Sequence, residues 1–172
     1  MSQTTINTTD SPETGRVAIN ANFTELYTFK DATKYVDIPI VIQVGGSFGS
    51  QVTNYSGLGS AVSLSSAESS VPYSPFGITG TVVGMYFQSK TNTQSASTVI
   101  SLESGVADAT DLTTSNLTIT VGAGVKNASV TDQTLAITPT MIGGLKFVNA
   151  SGSGTITLIT ITLIVRVSLT VV

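Results

Sequence analysis

Three carboxylates stand close together in Glu103-Ser-Gly-Val-Ala-Asp108-Ala-Thr-Asp111. Two chemistries use such a group: a general acid/base pair of the glycosidase type, or an oxygen-ligand loop for Ca²⁺. The spacing fits neither well, because an EF-hand loop needs a closing Glu at a fixed distance and none is present. The simpler reading, and the one preferred from sequence, is a solvated loop between two strands. The rest of the catalytic vocabulary is missing. The chain has no His, no Cys and no Trp. This removes Ser–His–Asp and Cys–His nucleophile systems, His- or Cys-ligated metals and disulfides. Gly57-Leu-Gly59 and Gly122-Ala-Gly124 precede neither Lys-Ser/Thr nor a helix-forming run, so they read as turns rather than phosphate loops. The expectation is a non-enzyme with no catalytic residues, no cofactor and no metal.

The elements that would have to position any site are strands. Ser and Thr supply 50 of the 172 residues, whereas only 10% are charged. A composition rich in Thr, Val and Ile favours pleated sheet, where β-branched side chains pack well. The net charge is −3 and Lys and Arg form no cluster, so nothing matches a phosphate backbone and no nucleic-acid partner is expected. Met1 leads straight into Ser2-Gln3-Thr4-Thr5, without the apolar core of a secretory signal. The run Thr155–Val172 is long and apolar. Thr at 155, 157, 160, 162 and 170, with Arg166, nevertheless gives it a period near two, which predicts a strand rather than a membrane span.

Charge divides the chain into two segments. The first 37 residues hold eight of its seventeen charged side chains. Residues 1–9 read as an extended polar arm. Asp10-Ser11-Pro12-Glu13 is a helix start, with capping side chains, Pro in the first turn and an acid at the positive helix end. The predicted helix runs from about residue 11 to Lys30 or Lys34. Ile19, Phe23 and Leu26 fall on it at i, i+4 and i+7, a stripe as narrow as a coiled-coil seam. So short a helix is marginal alone and must pack on copies of itself, on its own sheet domain or on a partner.

From Val36 onward the period changes to two. Strands are predicted at 36–44, 61–65, 78–89, 98–103, 116–121, 134–138, 145–149 and 155–172. Between them Gly45-Gly46, Gly143-Gly144 and similar clusters read as turns, and the polar stretch Ser47–Ser70 as the longest loop. The expected architecture is mainly β: a jelly-roll-like antiparallel sandwich over 37–172, preceded by an arm and docking helix over 1–36. Phe48, Tyr55, Tyr73 and Phe76 flank the glycines and prolines of 45–77. They suit a saccharide or protein contact, or the filling of the sandwich end or a subunit interface.

The segment Asp10-Ser-Pro-Glu-Thr-Gly-Arg-Val-Ala-Ile-Asn-Ala-Asn-Phe-Thr-Glu-Leu-Tyr27 resembles an N-terminal module of tailed-phage structural proteins: a Pro-containing start, an Arg, then Ile-Asn-x-Asn-Phe-x-Glu-Leu. The resemblance covers about a tenth of the chain. It implies a virion protein, often trimeric, whose N-terminal region docks or oligomerises. On that basis Arg16, Ile19, Asn20, Asn22, Phe23, Leu26 and Tyr27 are the candidate docking residues. The expected partners are further copies of the chain in a homotrimer, and the major capsid protein or another virion protein. A long fibre needs repeats or an extended coiled coil, and the chain has neither. The expectation is therefore a decoration or cement protein on the capsid exterior, with a short head or tail fibre or receptor-binding knob as the alternative.

Overall fold

The computed structural model describes residues 34–59, 62–106 and 112–169. Residues 37–167 form one compact unit; residues 1–36 and 168–172 are grouped in a second, of which only 34–36 and 168–169 are described. Eleven strands make up the described chain: β1 (Lys34–Gly49), β2 (Val52–Gly57), β3 (Val62–Ser63), β4 (Ser74–Pro75), β5 (Gly80–Asn92), β6 (Thr98–Val106), β7 (Thr113–Val121), β8 (Asn127–Val130), β9 (Leu135–Ile137), β10 (Met141–Asn149) and β11 (Thr155–Leu169). Sheet A has the order β3-β1-β11-β5-β8, with β9 also on β5. Sheet B has the order β2-β10-β6-β7, with β4 also on β10. This is the mainly-β sandwich expected from the sequence.

β8 and β9 are successive pieces along one edge of β5, broken at Asp132, whose φ is 59°. Counted as one strand, and with the two-residue β3 and β4 set aside, they leave eight long strands. These lie in the orders β1-β11-β5-β8/β9 and β2-β10-β6-β7. All but one of the connections between these eight pass from one sheet to the other; the exception is the β6–β7 hairpin. Side chains from both sheets consequently meet in a single core. Ile42, Val44, Met85, Phe87, Ile161 and Leu163 come from sheet A, and Ile100, Leu102, Leu117, Ile119, Leu145 and Phe147 from sheet B. Phe48 and Phe147 lie with ring centroids 5.7 Å apart at 43°. A tilted aromatic pair of this kind adds about 0.5–1.5 kcal/mol beyond the area it buries.

β11 shows how the alternation operates. Ile156, Ile159, Ile161, Leu163 and Val165 point inward and are buried, whereas Thr157, Thr160 and Thr162 are half-exposed on the outer face. The phase slips once, at Leu158, whose φ of 50° turns its side chain outward.

Several expectations from sequence are corrected. Lys34 already belongs to β1, so any helix before it ends sooner than residue 34. The remainder of the expected helix lies outside the described residues. Gly45-Gly46 is no turn, since β1 continues through it to Gly49. Gly143-Gly144 is no turn either and lies inside β10. A Cβ on Gly143 would come within 2.7 Å of Leu58 and 2.6 Å of the Phe76 ring, and one on Gly144 within 2.7 Å of the Tyr73 ring. These glycines allow side chains to press onto both faces of the strand. The supposed loop Ser47–Ser70 contains β2, which pairs with β10 from Val52↔Asn149 to Gly57↔Gly144. Its one fully buried side chain before the terminal glycine is Ser56, so no apolar alternation announced it.

Candidate functional site

The docking residues Arg16, Ile19, Asn20, Asn22, Phe23, Leu26 and Tyr27 lie outside the described residues, as do Asp108 and Asp111. Glu103 is described, and it is not in a solvated loop. It sits on β6 opposite Gly144 of β10 and is 1% exposed. The alternation of β6 turns Leu102 into the core and Glu103 onto the outer face of sheet B. There the chain after β3 folds back over it. Tyr73 covers Gly144, and β4 pairs with β10 at Ile142 and Gly143. Beneath this roof Glu103 Oε1 accepts a hydrogen bond from the Thr114 hydroxyl at 2.8 Å and lies 3.5 Å from Lys146 Nζ. Its Oε2 is buried without a hydrogen-bond partner. Lys146 Nζ also stands 5.6 Å from the centroid of the Tyr55 ring, a cation–π distance.

Tyr73 donates its hydroxyl to the Glu68 carbonyl at 3.3 Å, and Glu68 Oε1 accepts from the Leu112 amide at 2.6 Å. Burial, then hydrogen bonding with Glu68 and the negative charge of Glu68 and Glu103, push the Tyr73 phenol well above its usual range. The cluster holds one buried carboxylate and one ammonium. The second carboxylate, Glu68, is engaged by the Leu112 amide, and no group of three or more metal-capable side chains occurs among the described residues. The arrangement is suited to clamping a strap onto a sheet.

A second polar cluster closes one end of the sandwich. Asn149, 1% exposed, directs its amide NH₂ to Gln94 Oε1 (3.0 Å), the Ser97 carbonyl (3.1 Å) and the Thr98 hydroxyl oxygen (3.2 Å), while its Oδ1 accepts from the Gln51 amide. The Thr98 hydroxyl also donates to Gln94 Oε1. Gln94 Nε2 donates to the Gly49 carbonyl at 3.0 Å, and Asn92 Nδ2 to the Val125 carbonyl at 2.7 Å. The ends of β1, β5 and β10 and the β7–β8 turn are thus tied through three carboxamides. Buried carboxamides bonded on every side fix one arrangement, because any shift would leave a donor or acceptor unpaired.

Of the aromatics in 45–77, Phe48 and Phe76 are core residues, and Tyr55 and Tyr73 belong to the roofed face of sheet B. The ring that faces outward in the sandwich is Tyr86 on β5, 42% exposed. It stands in a groove of about 400 Å³ on the outer face of sheet A, with Gln88, Asn127, Ser129, Thr160 and Thr162. The sequence reading passed over Tyr86, although its alternation with the apolar Met85 and Phe87 is the local signal that turns it outward. Its neighbours were not, since they come from three strands.

Large apolar side chains are also exposed along the first half of β1. Tyr35, Val36, Ile38 and Val41 are 58%, 41%, 37% and 53% exposed. No helix among the described residues is long and apolar enough to cross a membrane. Comparisons with protein-family models, with curated proteins and with solved structures return no match. What the geometry defines is a class: a two-sheet, nearly all antiparallel β-sandwich whose sheet B is roofed around Glu103, whose sheet A carries an uncharged groove around Tyr86, and whose first strand exposes apolar side chains.

Proposed function

We propose that this chain is a structural protein of a tailed-phage particle, a homotrimeric decoration or cement protein that reinforces the capsid exterior. The observation that carries the reading is the motif from Asp10 to Tyr27, with Arg16, Ile19, Asn20, Asn22, Phe23, Leu26 and Tyr27 at its matching positions. The exposed apolar side chains that follow on both faces of β1 support the oligomeric part, since packing against further copies would cover them. The interleaved order of the eight long strands supports the jelly-roll form of the sandwich. Its many cross-sheet connections suit a knob that must not open under load.

A cement protein acts by repetition. Each copy buries modest area against the shell, and occupancy of every equivalent junction multiplies a weak contact. The test is copy number. Gel densitometry of purified particles against the major capsid protein should return a ratio set by the capsid lattice, and particles lacking the chain should rupture at lower temperature. Light scattering on the purified protein should return a trimer, and Phe23→Asp should break it. A few copies per particle with unchanged shell stability and lost host adsorption would favour a short fibre or receptor-binding knob instead, the reading that the bare Tyr86 face supports.

A further inference from the structure

We propose that the outer face of sheet A around Tyr86 is a binding site for a neutral saccharide. Thr162 on β11 is opposite Tyr86 on β5, which is opposite Ser129 on β8; Thr160, Gln88 and Asn127 form the next row in the same way. Neighbouring strands are about 4.8 Å apart and successive same-face residues roughly 6.6 Å apart along a strand. Six side chains therefore stand on a near-rectangular lattice about the breadth of one sugar ring.

Their chemistry is of one kind. Gln88 and Asn127 each present a carboxamide donor beside an acceptor, the pattern that pairs with two adjacent sugar hydroxyls. Thr160, Thr162 and Ser129 present hydroxyls that both donate and accept. Tyr86 supplies the apolar surface on which the C–H face of a sugar ring rests, with a polar tip at its edge. The Tyr86 ring edge lies beside Gly84, where a Cβ would stand at an ordinary contact distance of 3.6 Å.

The occupant follows from what the lining lacks. None of the residues lining the groove is charged; Lys90, the next outward residue after Gln88 on β5, stands beyond its lining and is the cation an acidic ligand would have to reach. Phe87 faces the core, which leaves one large apolar side chain on the surface. A protein partner would draw on several such anchors. A ligand of many neutral hydroxyls and one weakly apolar face fits what remains. The groove's volume, about 400 Å³, lies within the range of small-molecule sites. All three strands are fixed in the sheet, so little ordering entropy opposes binding. The inference concerns the isolated protein and stands whether the chain sits on the head or the tail.

The test is saturation-transfer NMR on the full chain with cellohexaose, maltohexaose, mannohexaose and chitopentaose, beside an array of neutral and acidic bacterial polysaccharides. Binding of at least one neutral glycan is expected, with transfer from the Tyr86 ring. Tyr86→Ala should weaken it at least about tenfold, Gln88→Ala and Asn127→Ala should weaken it less, and Tyr86→Phe should retain it. Unchanged melting temperatures would show that each variant is folded, and Tyr86→Phe against Gln88→Ala still decides the matter if Tyr86→Ala does not fold. No binding to any neutral glycan overturns the proposal, as does binding indifferent to Tyr86 and Gln88. Binding only of acidic glycans, lost in Lys90→Ala, also overturns it.

Discussion

The outer face of sheet B around Glu103 and the outer face of sheet A around Tyr86 are made from similar strands, and they end in opposite states. On sheet B the polar residues are charged and roofed: Glu103 is sealed beneath Tyr73 with Lys146 beside it. Around Tyr86 on sheet A they are uncharged and open to water. The difference shows what polarity on a strand means once its neighbours are known. A buried charge needs its partner and becomes part of the fold, whereas exposed hydroxyls and amides cost the fold little and are free to meet a ligand.

The largest expected effect lies under the roof. Glu103→Ala leaves Lys146 and Thr114 without their partner and should cost about 2 kcal/mol in urea unfolding, less than a fully buried pair because water still reaches Lys146. The double variant Glu103→Met/Lys146→Met should recover most of that loss, since an apolar pair has no desolvation to offset. A single variant as stable as the parent would erase the contrast between the faces.

A smaller effect appears in alkali. The folded state raises the Tyr73 phenol above its ordinary value near 10. The resulting stability is fully present below that pH and is lost as pH rises above it, because the unfolded chain then releases the proton more readily. Tyr73→Phe should flatten this alkaline decline while leaving stability near pH 7 little changed. An alkaline limb identical to the parent's would mean that the roof does not seal Tyr73.

The smallest effect belongs to the exposed pair of Asp37 and Arg166, bonded twice at 2.8 Å. Hydrogen bonding to Arg166 holds the Asp37 carboxyl below its usual range. Its contribution is present above the ordinary carboxylate pKa and fades as pH falls through the depressed one. Arg166→Gln should shift the Asp37 titration upward by NMR and change the melting temperature least of the three, with the remaining difference vanishing at high salt.

Much of the fold was readable because a period of two survives in the chain. In Ile156-Thr-Leu-Ile-Thr-Ile-Thr-Leu163 even the phase slip is visible, as two residues rather than one separate Thr157 from Thr160. β2 was hidden because a serine fills its buried position. The glycine pairs were misread because a missing side chain signals a turn and a tight packing contact equally well.

Neither polar site could be read in the same way. Glu103 meets Lys146 across 43 positions of sequence, and Tyr86 meets Thr162 across 76. By itself the sequence determined the all-β character, the poverty of charge, the absence of His and Cys chemistry and the inward parity of regularly alternating strands such as β5 and β11, because these depend on residue type and local spacing. Only the tertiary structure decided which polar residues became neighbours, which were roofed and which stayed bare. Strand order and register are set by how the two sheets close over one core, and a shift of a single residue would turn every one of those side chains to the other face.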